Sequence, residues 1–353
     1  MSRRETSSTM ERRRYASIVL LMTFVALSSA CHLGRGPSTE APQAVPRMVW
    51  PDPPDRPRIE LLSAFSRASQ LGIRRSLWAR IASLVAGGGE MQLVRPAGVA
   101  ASGGRIAVAD PGTGTVQVFD PEQHQAVVLE ACNETALMEP VAVALLGERI
   151  YVSDAALAQI LTFDGAGRCT ASWKLEDGAR PAGLVADGKR ARLYVADSGL
   201  HRVVAFDLQG NRLLQFGRRG RGAGEFNYPT WLAIDAPGDL YVVDALNFRV
   251  QRFDGDGNPL AQFGDQGDGS GDLARPKGIA VDRNGILYLV DALFDAVQMF
   301  DRDGHYLMVF GGSGHDAGHL SLPSGVAIDG DRIYVADSYN QRVQIFRFLG
   351  GES

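Results

Sequence analysis

One pattern recurs six times along the 353-residue chain and limits what the chain can become. A proline, a small residue and alternating apolar residues appear at PAGVA (96–100), PVAVA (140–144), PAGLVAD (181–187), PTWLAID (229–235), PKGIAVD (276–282) and PSGVAID (323–329). A second run ending in aspartate follows each: RIAVAD, RIYVSD, RLYVAD, DLYVVD, ILYLVD and RIYVAD. A third comes next: TVQVFD, QILTFD, RVVAFD, RVQRFD, AVQMFD and RVQIFR. The aspartates closing the second run, Asp110, Asp154, Asp197, Asp244, Asp291 and Asp337, recur every 43 to 47 residues, a period that marks a repeat architecture. The runs are short, rich in β-branched and aromatic residues and bounded by Gly, Pro, Asn and Asp, so they read as strands. A fourth run closes five of the units, reached through turns such as Asp254-Gly-Asp-Gly, where Asp bonds its own backbone and Gly accepts a positive φ. Four antiparallel strands per unit make a blade, and the expected fold is an all-β, six-bladed β-propeller.

DALNFRVQRFD (244–254) and DSYNQRVQIFR (337–347) carry a further signal. With the Pro-x-Gly runs before them and the Phe-Gly endings after, they resemble the NHL repeat, and the resemblance extends over residues 96–348. Units 1 and 2 depart from that pattern, with Ala107 where Tyr is expected and Thr115 and Gln159 where Arg is expected. The sixth unit stops after its third strand, and an open blade edge would invite pairing. RIELLSAF (58–65) is therefore expected to return as the outer strand of blade 6 and close the ring. Between it and blade 1, SLWARIASLV (76–85) has Leu77, Trp78, Ile81, Leu84 and Val85 at helical spacing and predicts one short helix. The propeller is thus expected over residues 58–349.

The first thirty residues read as an address. Arg12, Arg13 and Arg14 precede an apolar stretch from Ala16 to Leu27, then Ser28, Ser29 and Ala30 before Cys31, the layout of an export signal. The apolar stretch is shorter than the ~20 residues of a spanning helix. Leu-Ser-Ser-Ala-Cys resembles the bacterial lipobox, which implies cleavage before Cys31 and a lipid on its thiol, with ordinary signal cleavage and an uncleaved anchor as alternatives. His32 stands where inner-membrane retention would call for aspartate, so the resemblance implies an outer-membrane anchor and a propeller in the periplasm or at the cell surface. Residues 32–57 hold seven prolines and suit an extended tether; docking of Trp50 onto the globular body is the other reading.

Lys plus Arg number 36 against 40 Asp plus Glu, which leaves no basic surplus for nucleic acid. Removing residues 1–30, with five Arg and two Glu, makes the exported form more acidic. In a four-stranded blade the entry to the first strand and the turn between strands two and three share one face. The six aspartates form a ring there, and Arg202, Arg249 and Arg342, each five residues after its aspartate, are expected to lock the turns by charge-assisted bonds; a metal or ligand ring is the alternative. Residues in these turns vary: Leu200 and His201, Asn247 and Phe248, Phe294 and Asp295, Tyr339 and Asn340. Varied tips on a uniform frame suit recognition. Trp231, beside Tyr228, replaces the small residue found at Gly98, Ala142, Gly183, Gly278 and Gly325; it either anchors a partner or packs blade on blade.

His315 and His319 are the weak metal candidates, four apart in a Gly-rich connection; solvated loop residues are the plainer reading. Cys132 and Cys169 are expected to lie on opposite faces, too far apart for a disulfide. Arg218, Arg219 and Arg221 read as a solvated basic loop, with contact to an acidic protein or a lipid headgroup as the alternative, and the Asn133-Glu-Thr sequon has no evident role. No Cys-x-x-Cys-His is present, so the chain holds no c-type haem, and no cofactor is expected. The reading is a non-catalytic envelope lipoprotein that binds a protein or another envelope component. The resemblance implies respiratory or cytochrome-containing assemblies as partners; a small-molecule ligand is not specified. The rival reading comes from related propellers, a peptidyl-hydroxyglycine lyase and gluconolactonase-like or strictosidine-synthase-like hydrolases, some metal-dependent and acting at the central channel.

Overall fold

The computed structural model describes residues 48–52, 54–73 and 90–350. The expected signal segment, Cys31, most of the Pro-rich stretch and the helix expected over 76–85 lie outside the described residues. Within them the only helical elements are two 3₁₀ turns, Ala68–Leu71 and Ala245–Asn247, and no helix is long and apolar enough to cross a membrane.

Repeats 1 to 5 each fold into a four-stranded antiparallel sheet, and repeat 6 contributes three strands to a five-stranded one. Blade 3 is typical: Pro181–Asp187 innermost, then Arg192–Asp197, Arg202–Asp207 and Arg212–Phe216 at the rim. Burial alternates along the outer strand Cys169–Lys174, whereas second strands such as Leu240–Asp244 are buried at every position, as sheets covered on both faces require. The turn into each outer strand works as its sequence predicts. Asp207 Oδ1 accepts the Gln209 and Asn211 N–H groups at 2.9 and 2.8 Å, and Gly210 takes φ +92°.

The apolar core is divided among the blade interfaces. Six clusters form, one in each interface around the ring. A fully buried tyrosine from the second strand (Tyr151, Tyr194, Tyr241, Tyr288, Tyr334) recurs in five blades, with Ala107 in blade 1. The small residue of the Pro-x-Gly run has a packing cause: a Cβ at Gly98, Gly278 or Gly325 would meet the backbone of the next blade's inner strand.

Closure is made by the N-terminal segment. Strand β1 (Val49–Trp50) and strand β2 (Ile59–Phe65) extend the blade 6 sheet, with β2 antiparallel to Arg342–Phe348 in a register that pairs Ile59 with Phe348 and Phe65 with Val343. Ile59 and Leu61 enter the blade 5–6 cluster, and Phe65 enters the blade 6–1 cluster. Trp50 docks with them, its ring 5.7 Å from Phe346 and 6.2 Å from Phe310.

One expectation is overturned. Cys132 and Cys169 form a disulfide with their Cα atoms 5.0 Å apart. Assigning each residue to a face ignored the twist of the blades. In blades 2 to 5 the turn glycine before the outer strand (Gly167, Gly210, Gly257, Gly304) lies against an outer-strand side chain of the preceding blade: Val127, Trp173, Phe216 or Phe263. The outer strands of blades 1 to 4 thus lean over the next blade. In blade 1 that lean carries Leu129 onto the blade 2 turn, and a small hairpin (Ala131–Cys132 with Thr135–Ala136) then turns Cys132 onto Cys169.

Ile59→Ala should cost about 2–5 kcal/mol in urea unfolding, as for other buried large-to-small changes, while Leu349→Ala at the exposed C-terminal end stays within about 0.5 kcal/mol. Peptide mapping without reductant should recover the Cys132 and Cys169 peptides joined, and Cys132→Ala should destabilise the protein by roughly 2–4 kcal/mol.

Candidate functional site

The face that carries the second-to-third-strand turns is built on the six aspartates, all buried. Each carboxylate accepts backbone N–H groups from the segment entering its own blade. Asp110 takes those of Val94 and Arg95 at 2.6 and 2.9 Å, Asp154 those of Met138 and Glu139, and Asp291 those of Ala274 and Arg275. Asp197, Asp244 and Asp337 each accept one such N–H and also the Nε–H of Arg202, Arg249 and Arg342 at 3.1, 2.9 and 2.8 Å. The carboxylates are therefore spent on the scaffold. Sequence reasoning missed a second clamp. Gln251, Gln298 and Gln344 each accept an N–H from the connection preceding their blade (Gly224, Gly271, Gly318) and return a bond to a carbonyl there. The repeating Gln was the available signal, but it reads as an ordinary alternating strand residue.

On this frame the residue before each third strand adopts a left-handed conformation: Gly114, Ala158, His201, Phe248, Asp295 and Gln341, with φ between +50° and +67°. That bend decides which tip residues reach solvent. Phe248 folds onto the blade 4–5 cluster, and Phe294 is half-buried beside Tyr306. The tips that stand out lie two residues after the aspartate: Leu246, Leu293 and Tyr339, exposed by 52%, 64% and 65%. The same position in blades 1 to 3 holds Gly112, Ala156 and Gly199. At this position an apolar arc runs over blades 4, 5 and 6, and on the same face Val94 and Met138, in the segments entering blades 1 and 2, are exposed by 45% and 62%. His201 and Tyr228 are joined, the His201 Nδ1 accepting the Tyr228 N–H at 3.0 Å.

The central channel opens on this face into a cavity of about 460 Å³. Tyr228, Trp231 and Tyr339 line it. Trp231 is half-buried and touches both the blade 2–3 and the blade 4–5 clusters, so it packs the channel and borders the cavity at once. Around it stand residues flanking the repeated prolines: Arg95, Glu139, Arg180 and Arg275 before them, Thr230, Lys277 and Ser324 after them. Arg180 pairs with Glu139 at 2.9 Å. Burial, reinforced by the charges of Arg275 and Arg95, holds the Lys277 ammonium below the usual lysine range.

The His319 ring Nδ1 is buried without a hydrogen-bond partner. His315 Nδ1 lies 2.5 Å from Asn340 Oδ1, and the His319 carbonyl accepts from Arg342 and Gln344. Among the described residues no three His, Cys, Asp or Glu side chains are grouped to hold a metal ion. At the channel mouth the side chains are cationic, hydroxyl or apolar, with one carboxylate already paired, a donor set unsuited to a divalent cation. Arg218 pairs with Glu225 at 2.9 Å, and Arg219 and Arg221 are exposed.

The chain is thus a six-bladed β-propeller scaffold. The family model of the NHL repeat matches residues 320–346, the last turn and strands of blade 6. No curated protein matches the sequence significantly. Among solved structures, virginiamycin B lyase from Staphylococcus aureus is 12% identical over 82% of this chain and 100% of that one, with a TM-score of 0.57. A gluconolactonase from Xanthomonas campestris is 18% identical over 72% of this chain and 86% of that one, at 0.55. A chain of the nidogen–laminin complex is 18% identical over 68% and 84%, at 0.52. At these identities the likeness is one of fold.

Asp244 is fully buried against an Arg249 that is only 7% exposed. Asp244→Ala should therefore destabilise by about 3–5 kcal/mol in chemical unfolding, because it strands a buried guanidinium. Asp244→Asn, which keeps an acceptor oxygen, should lose less.

Proposed function

We propose that this protein is a non-catalytic recognition propeller of the cell envelope, exported, anchored through lipid on Cys31, and binding another envelope protein with the face that carries the aspartate-capped turns. The observation that carries the reading is the apolar arc of Leu246, Leu293 and Tyr339, three large side chains exposed at one turn position in consecutive blades. Scattered exposed leucines are ordinary, whereas large apolar side chains recurring at one turn position of neighbouring blades suit an interface. The frame beneath supports the same reading. Six buried carboxylates fix the turns, so the tips are presented without the entropy cost that mobile loops pay on binding. Tyr339 adds an aromatic anchor beside Tyr228 at the channel mouth.

A photo-crosslinking residue at position 293, introduced into the full chain in native envelopes, should give one discrete adduct, and Tyr339→Asp should abolish it. The same probe at Leu213, on the blade 3 rim, should give none. A smear of products, or equal capture from both positions, would overturn the face assignment. Cys31→Ser should release the protein from membranes and remove incorporation of a clickable fatty acid; unchanged labelling would overturn the anchor.

A further inference from the structure

The channel mouth carries chemistry that a protein-docking face does not require. Four basic side chains, Arg95, Arg180, Arg275 and Lys277, line one cavity with a single acidic one, Glu139, in a chain whose formal net charge is −4. Glu139 is committed to Arg180. Arg95, Arg275 and Lys277 have no ion pair among the described residues, although the chain pairs its other arginines widely. Like charges gathered in a concave site repel one another and raise the local potential, which favours an incoming anion.

The placement is specific to this position in the ring. Lys277 follows the repeated proline at the start of the blade 5 inner strand, where the other blades have Ala97, Val141, Ala182, Thr230 and Ser324. It is one of only three lysines in the chain, with Lys174 and Lys189. It is half-buried and lines the cavity, so its ammonium gives up hydration without a partner in compensation, an unfavourable state for a cation. Arg275 two residues earlier, and Arg95 in blade 1, bring guanidinium forks whose geometry matches carboxylate and phosphate oxygens. Thr230, in the equivalent position of blade 4, has a buried hydroxyl with no hydrogen-bond partner. Beside these polar groups Trp231 offers an apolar wall.

We propose that the mouth of the central channel is a binding site for a small organic anion bearing carboxylate or phosphate groups, held by Lys277, Arg275 and Arg95 against Trp231. The cavity, about 460 Å³, is of the size that encloses small ligands. The site stands on its own chemistry and needs no protein partner, so it survives or fails separately from the docking face.

The test is isothermal titration of the full, detergent-solubilised chain at low ionic strength with citrate, with pyrophosphate, and with glucose as a neutral control. Either anion should bind with one site per chain and glucose should not; which anion binds more tightly separates carboxylate from phosphate recognition. Lys277→Ala and Arg275→Ala should each weaken binding ~10-fold or more, the loss expected for a charge-assisted bond. Lys277→Arg should retain most of the affinity, which guards against a folding defect. Arg219→Ala, on the same face but outside the mouth, should leave binding unchanged. Absence of binding by both anions overturns the proposal. So does binding that is indifferent to Lys277→Ala, or one that Arg219→Ala weakens equally.

Discussion

The structure depends on the pairing of β2 with Arg342–Phe348. A blade has apolar residues on both faces, so it can be buried only between two neighbours, and a row of such sheets is satisfied only when it closes. Because chain order leaves blade 6 one strand short, the joint is made by residues about 290 positions apart in sequence, the loop-closure cost of which is a logarithmic term. Ile59, Leu61 and Phe65 serve two blade interfaces from one strand. Trp50 then seals the outer side against Phe310 and Phe346. Ring closure also fixes the channel, and with it the cavity in which side chains from all six blades meet.

The aspartate frame and the channel mouth divide the work of one face. Buried carboxylates that accept backbone N–H groups and arginine Nε–H groups are committed to holding the turns. The residues that the frame leaves free fall into two zones. In the outer zone these are the three apolar tips of blades 4 to 6. In the inner zone they are the residues flanking the repeated prolines. The face thus carries exposed apolar side chains around a cationic centre.

Much of this was legible in the sequence, but unevenly. Strand boundaries, turn chemistry and blade number followed from the repeat because each is set within one unit by local pattern. The Asp and Arg partners lie five residues apart, so their bond was accessible to the same reasoning. The disulfide was not, because the lean of Gln125–Leu129 over blade 2 is a property of twisted, packed sheets rather than of any one segment. Phe248 looked like a tip until the left-handed backbone at that residue turned its ring onto the core. Arg95, Arg275 and Lys277 sit nearly 200 positions apart at their extremes, and only the ring brings them to one cavity.

By itself the sequence determined a closed ring of six four-stranded blades, because a period in the forties with alternating apolar runs leaves few other ways to bury them. It also determined which residues build the turns, since Asp, Gly and Pro act on their own backbone. The tertiary structure decided what the ring presents. Sheet twist chose the disulfide, the bend before each third strand chose which side chains reach water, and convergence on one axis gathered cations that the chain keeps far apart. Those outcomes depend on distances between blades, and a linear pattern does not contain them.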